Sequence, residues 1–112
     1  MTNPLTRGLS PPHPGRIIKR DVVPALGGNV TKIAREIGIS RMHLYDIMNE
    51  KKPISPEVAA RMGRYFGNGG EIWLTLQQRY DLAAIEREKA DELNAIKVAE
   101  RLPEEGRRFG LQ

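Results

Sequence analysis

The chain has 112 residues, enough for one domain with a modest core and too few for two. It has no cysteine, which excludes a disulfide framework, a thiolate metal site and a cysteine nucleophile. Its net charge of +4 is unevenly spread: residues 1–67 hold eleven Lys/Arg against five Asp/Glu, and residues 68–112 hold seven against nine.

A basic first half suits a polyanionic partner. The longest nearly apolar run, Val22 to Leu26, contains Pro24 and is far too short to span a bilayer. The N-terminus lacks the apolar core of a signal peptide. The expectation is a cytoplasmic protein with no membrane partner.

Residues 1–12 read as a flexible arm, with Pro4, Gly8, Pro11 and Pro12 and little periodicity. A first helix starts near Pro14, where the missing N–H costs nothing, and runs to about Val23. Ile17, Ile18 and Val22 lie on one side of it, and Pro24 with Gly27 and Gly28 ends it.

Val30 to Asn49, VTKIAREIGISRMHLYDIMN, carries the strongest signal in the chain. Asn29 caps a helix whose Ile33 and Ile37 are four apart and so share a face. Gly38 permits the left-handed backbone that closes it, and Ser40 caps a second helix reaching about Glu50. Ala34 is small where that second helix must approach closely. These are the requirements of a helix-turn-helix, whose second helix enters the DNA major groove.

Ser55, Pro56 and Glu57 then give a cap, a first-turn proline and an acid at the positive helix end. This fourth helix runs to about Phe66 and packs through Val58, Met62, Tyr65 and Phe66. Asn68, Gly69 and Gly70 break the chain. A last helix is expected from near Glu71 to about Leu102, since nothing before Pro103 stops it. Ile72, Trp73, Leu76, Tyr80 and Leu82 should complete the core. Beyond Ile85 only Leu93, Ile96, Ala99 and Leu102 form a thin apolar stripe, which either packs on a second subunit or partner or frays. Residues 103–112 read as disordered.

At about 100° per residue, the second motif helix separates into two faces. Leu44, Ile47 and Met48 face the core. Arg41, Met42, Tyr45 and Asn49 share the exposed stripe, with Asp46 at its edge and His43 at the rim. Arg41 matches guanine O6 and N7 with two hydrogen bonds, and Met42 suits a thymine methyl. Tyr45 can meet either a methyl or a phosphate. Thr31, Lys32 and Ser40 stand at helix starts, where amides and dipole favour a phosphate. Asn49, Lys51 and Lys52 follow along the same strand and fix register rather than sequence.

Catalysis has little support. His13 and His43 are the only histidines, neither has a partner at metal-ligand spacing, and no Gly-rich phosphate loop follows a strand. No cofactor or metal is expected, and the chain reads as a binding protein, not an enzyme.

Taken whole, the chain resembles the HigA family of bacterial antitoxins, within the phage-repressor-like helix-turn-helix regulators. The matching segments are HPG at His13 to Gly15, the two motif helices, NEKKPISPE from Asn49 to Glu57, and WLTLQQRYDL from Trp73 to Leu82. The resemblance implies an all-α fold, a five-helix phage-repressor-like helix-turn-helix domain with an extended C-terminal helix. On that reading residues 13–85 are the DNA-binding domain and 86–102 a helical extension. It also implies a homodimer that represses its own operon on double-stranded operator DNA. The second partner implied is a HigB-type toxin, a ribosome-dependent mRNA endoribonuclease.

Trp73, Gln77 and Tyr80 match the family's final-helix motif, and Trp73 and Tyr80 are core neighbours first. Val30 departs from the family, which commonly has a phosphate-contacting glutamine near that point. Two other readings remain open on the sequence: a stand-alone regulator without a toxin, and a protein-binding module without DNA binding. The toxin contact could fall on the acidic second half or on the N-terminal arm.

Overall fold

His13 begins the ordered architecture. In the computed structural model, which describes residues 10–100, its backbone is extended and its ring Nδ1 accepts from the Gly15 N–H at 2.9 Å. Pro14 follows at the first helical position, and α1 spans Pro14–Ile17. The helix then widens into a π-helical turn, Ile18–Val22, and returns to α2, Val23–Ala25. Pro24 therefore does not stop this helix, contrary to the expectation from sequence. A proline ring crowds the carbonyl four residues back, and the widened turn just before it relieves that crowding. Termination falls instead to Gly27 and Gly28, both at positive φ.

The next three helices start and stop where the sequence places them. Asn29 Oδ1 accepts from the Lys32 N–H at 3.0 Å, opening α3, Val30–Ile37. Gly38 (φ 91°) closes α3, and the Arg61 guanidinium fills the space a β-carbon there would need. Arg61 Nη1 also donates to the Ile37 carbonyl at 3.3 Å, satisfying a helix-end acceptor. Ser40 Oγ accepts from the His43 N–H and starts α4, Arg41–Met48. Ser55 does the same for Val58 at the start of α5, Pro56–Phe66.

These helices enclose one core, in which Ile18, Ile33, Leu44, Ile47, Ile54 and Met62 are almost completely buried. Burying such a side chain contributes about 1.5–3 kcal/mol. Ala34 is buried between the motif helices, as its size requires. The last long helix, α6, spans Gly70–Glu88 and packs mainly on α5. A β-carbon at Gly63 would meet the Gly69 and Gly70 backbone, so glycine is what lets the two helices turn so tightly. Trp73 is buried at the head of α6, with its ring edge against Phe66 and its N–H on Asn68 at 3.1 Å.

The second half of the last helix departs from the sequence expectation. α6 ends at Glu88, Lys89 breaks it at φ −112°, and only a short α7, Ala90–Asn94, follows. The chain from Ala95 to Glu100 is not helical. The apolar stripe is the reason: Leu93, Ile96 and Ala99 are all exposed, so no packing adds to weak local propensity. Leu102 and residues 103–112 lie outside the described residues, as do residues 1–9 of the arm. Two expected core members also face out, Ile72 (48% exposed) and Leu82 (60%), whereas Leu76 and Tyr80 are half-buried.

His13 is 3% exposed, with its ring edge on Tyr80 at 4.9 Å between centroids. Burial lowers its pKa below the usual 6.5, against the opposing pull of the Glu50 and Asp81 carboxylates. The folded state thus favours the neutral ring, which Nδ1 as an acceptor also requires. The unfolded chain takes up this proton near pH 6.5 and the folded chain only at lower pH. The stability contribution of His13 is therefore complete above about pH 6.5 and is lost as pH falls toward its folded-state pKa. Urea titrations at pH 7.5 and 5.5 check this. The midpoint should drop more in the wild type than in His13→Asn, which keeps an acceptor for Gly15 without a titrating ring.

Candidate nucleic-acid interface

The recognition surface follows from how α4 is anchored. Leu44 and Ile47 are fully buried and Met48 is 6% exposed, so the opposite side of α4 must face solvent. A second anchor comes from α1, where Gly15 lies against the Ile47 carbonyl so closely that no β-carbon would fit. The backbones of α1 and α4 therefore touch, and the recognition helix cannot rotate without separating them.

Arg41, Met42, Tyr45 and Asn49 are all exposed on the side away from the core, Met42 at 69% and Tyr45 at 41%. The structure thus brings the four expected groove-facing residues onto one stripe. Asp46 lies at its edge, half-buried, and His43 sits half-buried at the rim. Thr31 and Lys32 are exposed in the first turn of α3. The Lys32 N–H is taken by the Asn29 cap, which leaves its ammonium rather than its amide for a phosphate. Ser40 is exposed, but its hydroxyl is already the acceptor for His43.

Beyond α4 the chain turns back sharply. Glu50 adopts φ 63°, uncommon for a residue with a β-carbon. The Lys51 and Lys52 N–H groups both donate to the Asp46 carbonyl, at 2.8 and 3.2 Å. Both lysines are exposed, and Lys52 Nζ stands 3.7 Å from the Asp46 carboxylate. A partly exposed pair of this kind adds little stability, so Lys52 is available to another anion at small cost.

Sequence reasoning missed two neighbouring cations. Arg16 Nε donates to Glu50 Oε2 at 3.3 Å, and Lys19 Nζ to Asn49 Oδ1 at 3.2 Å. They lie on the first helix, 34 and 30 residues away, and only the fold brings them beside the end of α4. The matching of HPG to a family opening was the one sequence signal pointing to that region. Among the described residues no group of three or more His, Asp or Glu could hold a metal, and no helix is long and apolar enough to cross a membrane.

No protein-family model matches the chain. It is 37% identical over 101 residues to virulence-associated protein A' of Dichelobacter nodosus, covering 89% of this chain and 87% of that protein. Among solved structures it is similar to the Pseudomonas aeruginosa antitoxin HigA with the higBA promoter, with a TM-score of 0.73 and 30% identity over 78% of this chain and 96% of that one. A second Pseudomonas aeruginosa protein, in complex with its 18-bp operator DNA, matches with a TM-score of 0.75 and 28% identity over 81% and 97%. With an all-helical fold, a capped helix-turn-helix and this likeness over most of its length, the chain belongs to the HigA family of helix-turn-helix antitoxins.

Proposed function

We propose that the chain is an autorepressing antitoxin that binds double-stranded operator DNA as a homodimer and neutralises a HigB-type mRNA endoribonuclease. The observation that carries the DNA reading is the exposed stripe Arg41, Met42, Tyr45 and Asn49, opposite the buried Leu44, Ile47 and Met48. Arg41 reads a guanine edge, and Met42 and Tyr45 meet a methyl or the backbone. Thr31, Lys32, Ser40, Lys51 and Lys52 hold phosphates and fix the register. Residues 13–85 form the recognition domain in this reading. The likeness to two proteins whose structures include promoter or operator DNA supports it.

Binding of a duplex carrying the chain's own promoter should weaken linearly on a log–log plot against salt. Arg41→Ala should cost about 1–3 kcal/mol and relax preference at one base pair. Equal loss on every sequence would move Arg41 from base to phosphate contact.

One recognition helix reads only a few base pairs, so operator specificity calls for two copies with half-sites about one DNA turn apart. The surface suited to the second copy is an apolar groove of about 880 Å³ lined by Ile17, Val22, Leu26, Phe66, Ile72 and Leu76, among others. None of its lining residues belongs to α3, α4 or the loop after α4, so a partner seated there leaves the DNA face free. Asp21 lines the groove and Arg20 pairs with it at 2.9 Å. Adjacent opposite charges are self-complementary across a two-fold axis. Sedimentation should show a dimer for the wild type, and a monomer for Ile72→Arg with its helical content unchanged.

For the toxin, the expected partner is a small basic reading frame beside this one. Co-expression with an affinity tag on this chain should recover both proteins as one complex. Growth arrest by the neighbour alone should be relieved by this chain. A neighbour that neither binds nor arrests growth would leave a repressor without a toxin.

A further inference from the structure

The loop after the recognition helix, Lys51 to Ile54, carries two of the expected phosphate-binding lysines. Its backbone donors are few and fully accounted for. Lys51 and Lys52 donate to the Asp46 carbonyl of α4, Pro53 has no N–H, and Ile54 donates to Gln77 Oε1 at 2.8 Å. Gln77 belongs to α6, 23 residues further along. The loop is thus tied at one end to α4 and at the other to the final helix, by a side chain.

Gln77 is built for that task. It is 4% exposed, and both ends of its amide are engaged, the oxygen by the Ile54 N–H and the nitrogen on Asp81 Oδ1 at 3.0 Å. The donor on one side and the carboxylate on the other fix the amide orientation without ambiguity. His13 and Tyr80 pack edge to face beside the same loop. No apolar side chain could satisfy the Ile54 N–H, which would otherwise be buried without an acceptor.

We propose that Gln77 is a positioning residue for DNA binding: from α6, oriented by Asp81, it holds the Lys51–Ile54 loop so that Lys51 and Lys52 reach the phosphates flanking the recognition helix. It touches no DNA itself. The proposal rests on the DNA-binding reading above and adds that operator contact depends on a helix remote from the groove. It also gives the first glutamine of the WLTLQQRYDL segment a task that helical packing alone does not require.

The test uses the full chain and a 30-bp duplex from its own promoter, with binding measured across salt concentrations. Gln77→Leu keeps the size and removes both hydrogen bonds. It should weaken binding roughly tenfold and flatten the log–log salt slope by about 0.9 for each phosphate that is no longer neutralised. The double variant Gln77→Glu with Asp81→Asn reverses donor and acceptor between the two residues while keeping an acceptor for Ile54, and it should restore both affinity and slope. Amide NMR shifts in the wild type and the double variant should agree at Lys51, Lys52 and Ile54. Wild-type affinity and slope in Gln77→Leu would overturn the proposal. So would weaker binding with an unchanged slope and a proportionate loss of folded protein, because that marks a purely structural residue. If Gln77→Leu does not fold, a folded double variant that binds with a flattened slope overturns it equally. A wild-type chain that binds neither this duplex nor any other would bring down the DNA reading itself.

Discussion

The contact on which most of this structure depends is the approach of Gly15 to the Ile47 carbonyl. A methyl group at residue 15 would overlap that carbonyl, so the first helix and the recognition helix meet backbone to backbone. Three other features follow from the closeness. His13 is carried under Tyr80, Arg16 comes within reach of Glu50, and Lys19 within reach of Asn49. None is strong alone, since an exposed ion pair contributes about 0–1 kcal/mol, a hydrogen bond to a charged group about 1.5–3 at most, and an aromatic edge contact about 0.5–1.5. Together they fix the end of α4 in rotation as well as in place, and rotation decides which side chains a groove would meet.

Much of the fold was legible because it is governed by local rules. Asn29, Ser40 and Ser55 act as caps where the sequence places them, and Gly38 takes the left-handed conformation expected of it. The buried side of α4 follows from a simple 3.6-residue period. What the sequence concealed depends on partners distant along the chain. Arg61 closing α3, Tyr65 bonding Glu36, and Gln77 holding Ile54 all join residues more than 20 apart. Periodicity also overestimated the core: Ile72 shares the helical pattern of Trp73 and Leu76 yet rims a groove, and Leu82 shares the pattern of α6 yet faces out.

The π-helical turn shows a local rule applied correctly and outweighed. Proline in a helix removes one bond and crowds a carbonyl, which argues for a stop at Pro24. Val23 is buried, however, and burial of the helix that carries it with Ile18 offsets one missing bond. Widening a single turn costs less than abandoning that packing. The end of α6 is the reverse case. Nothing in the sequence stops the helix at Glu88, but without buried neighbours there is nothing to sustain it either. In both places tertiary contact, rather than propensity, sets the boundary.

The residues that hold this fold and those proposed to meet DNA are almost separate sets. Arg41, Met42 and Tyr45 are exposed and take no part in the buried cluster, so exchanging them alters the recognition surface while leaving the core intact. Gln77, His13 and Gly15 are buried, and each touches an element that carries part of the proposed interface. On the proposed reading, such a division would let operator preference change by substitutions that cost little stability, because the supporting contacts lie behind the stripe and not in it. It also exposes a weakness. Lys51 and Lys52 sit on a loop, not on a helix, and beyond α4 the loop is held by the buried Ile54 side chain and by one side-chain acceptor. On the proposed reading, a partner that displaced α6 would strain that bond and disturb the loop that carries the lysines. A route from a protein partner on α6 to the proposed DNA surface would then be short, passing through a single buried amide.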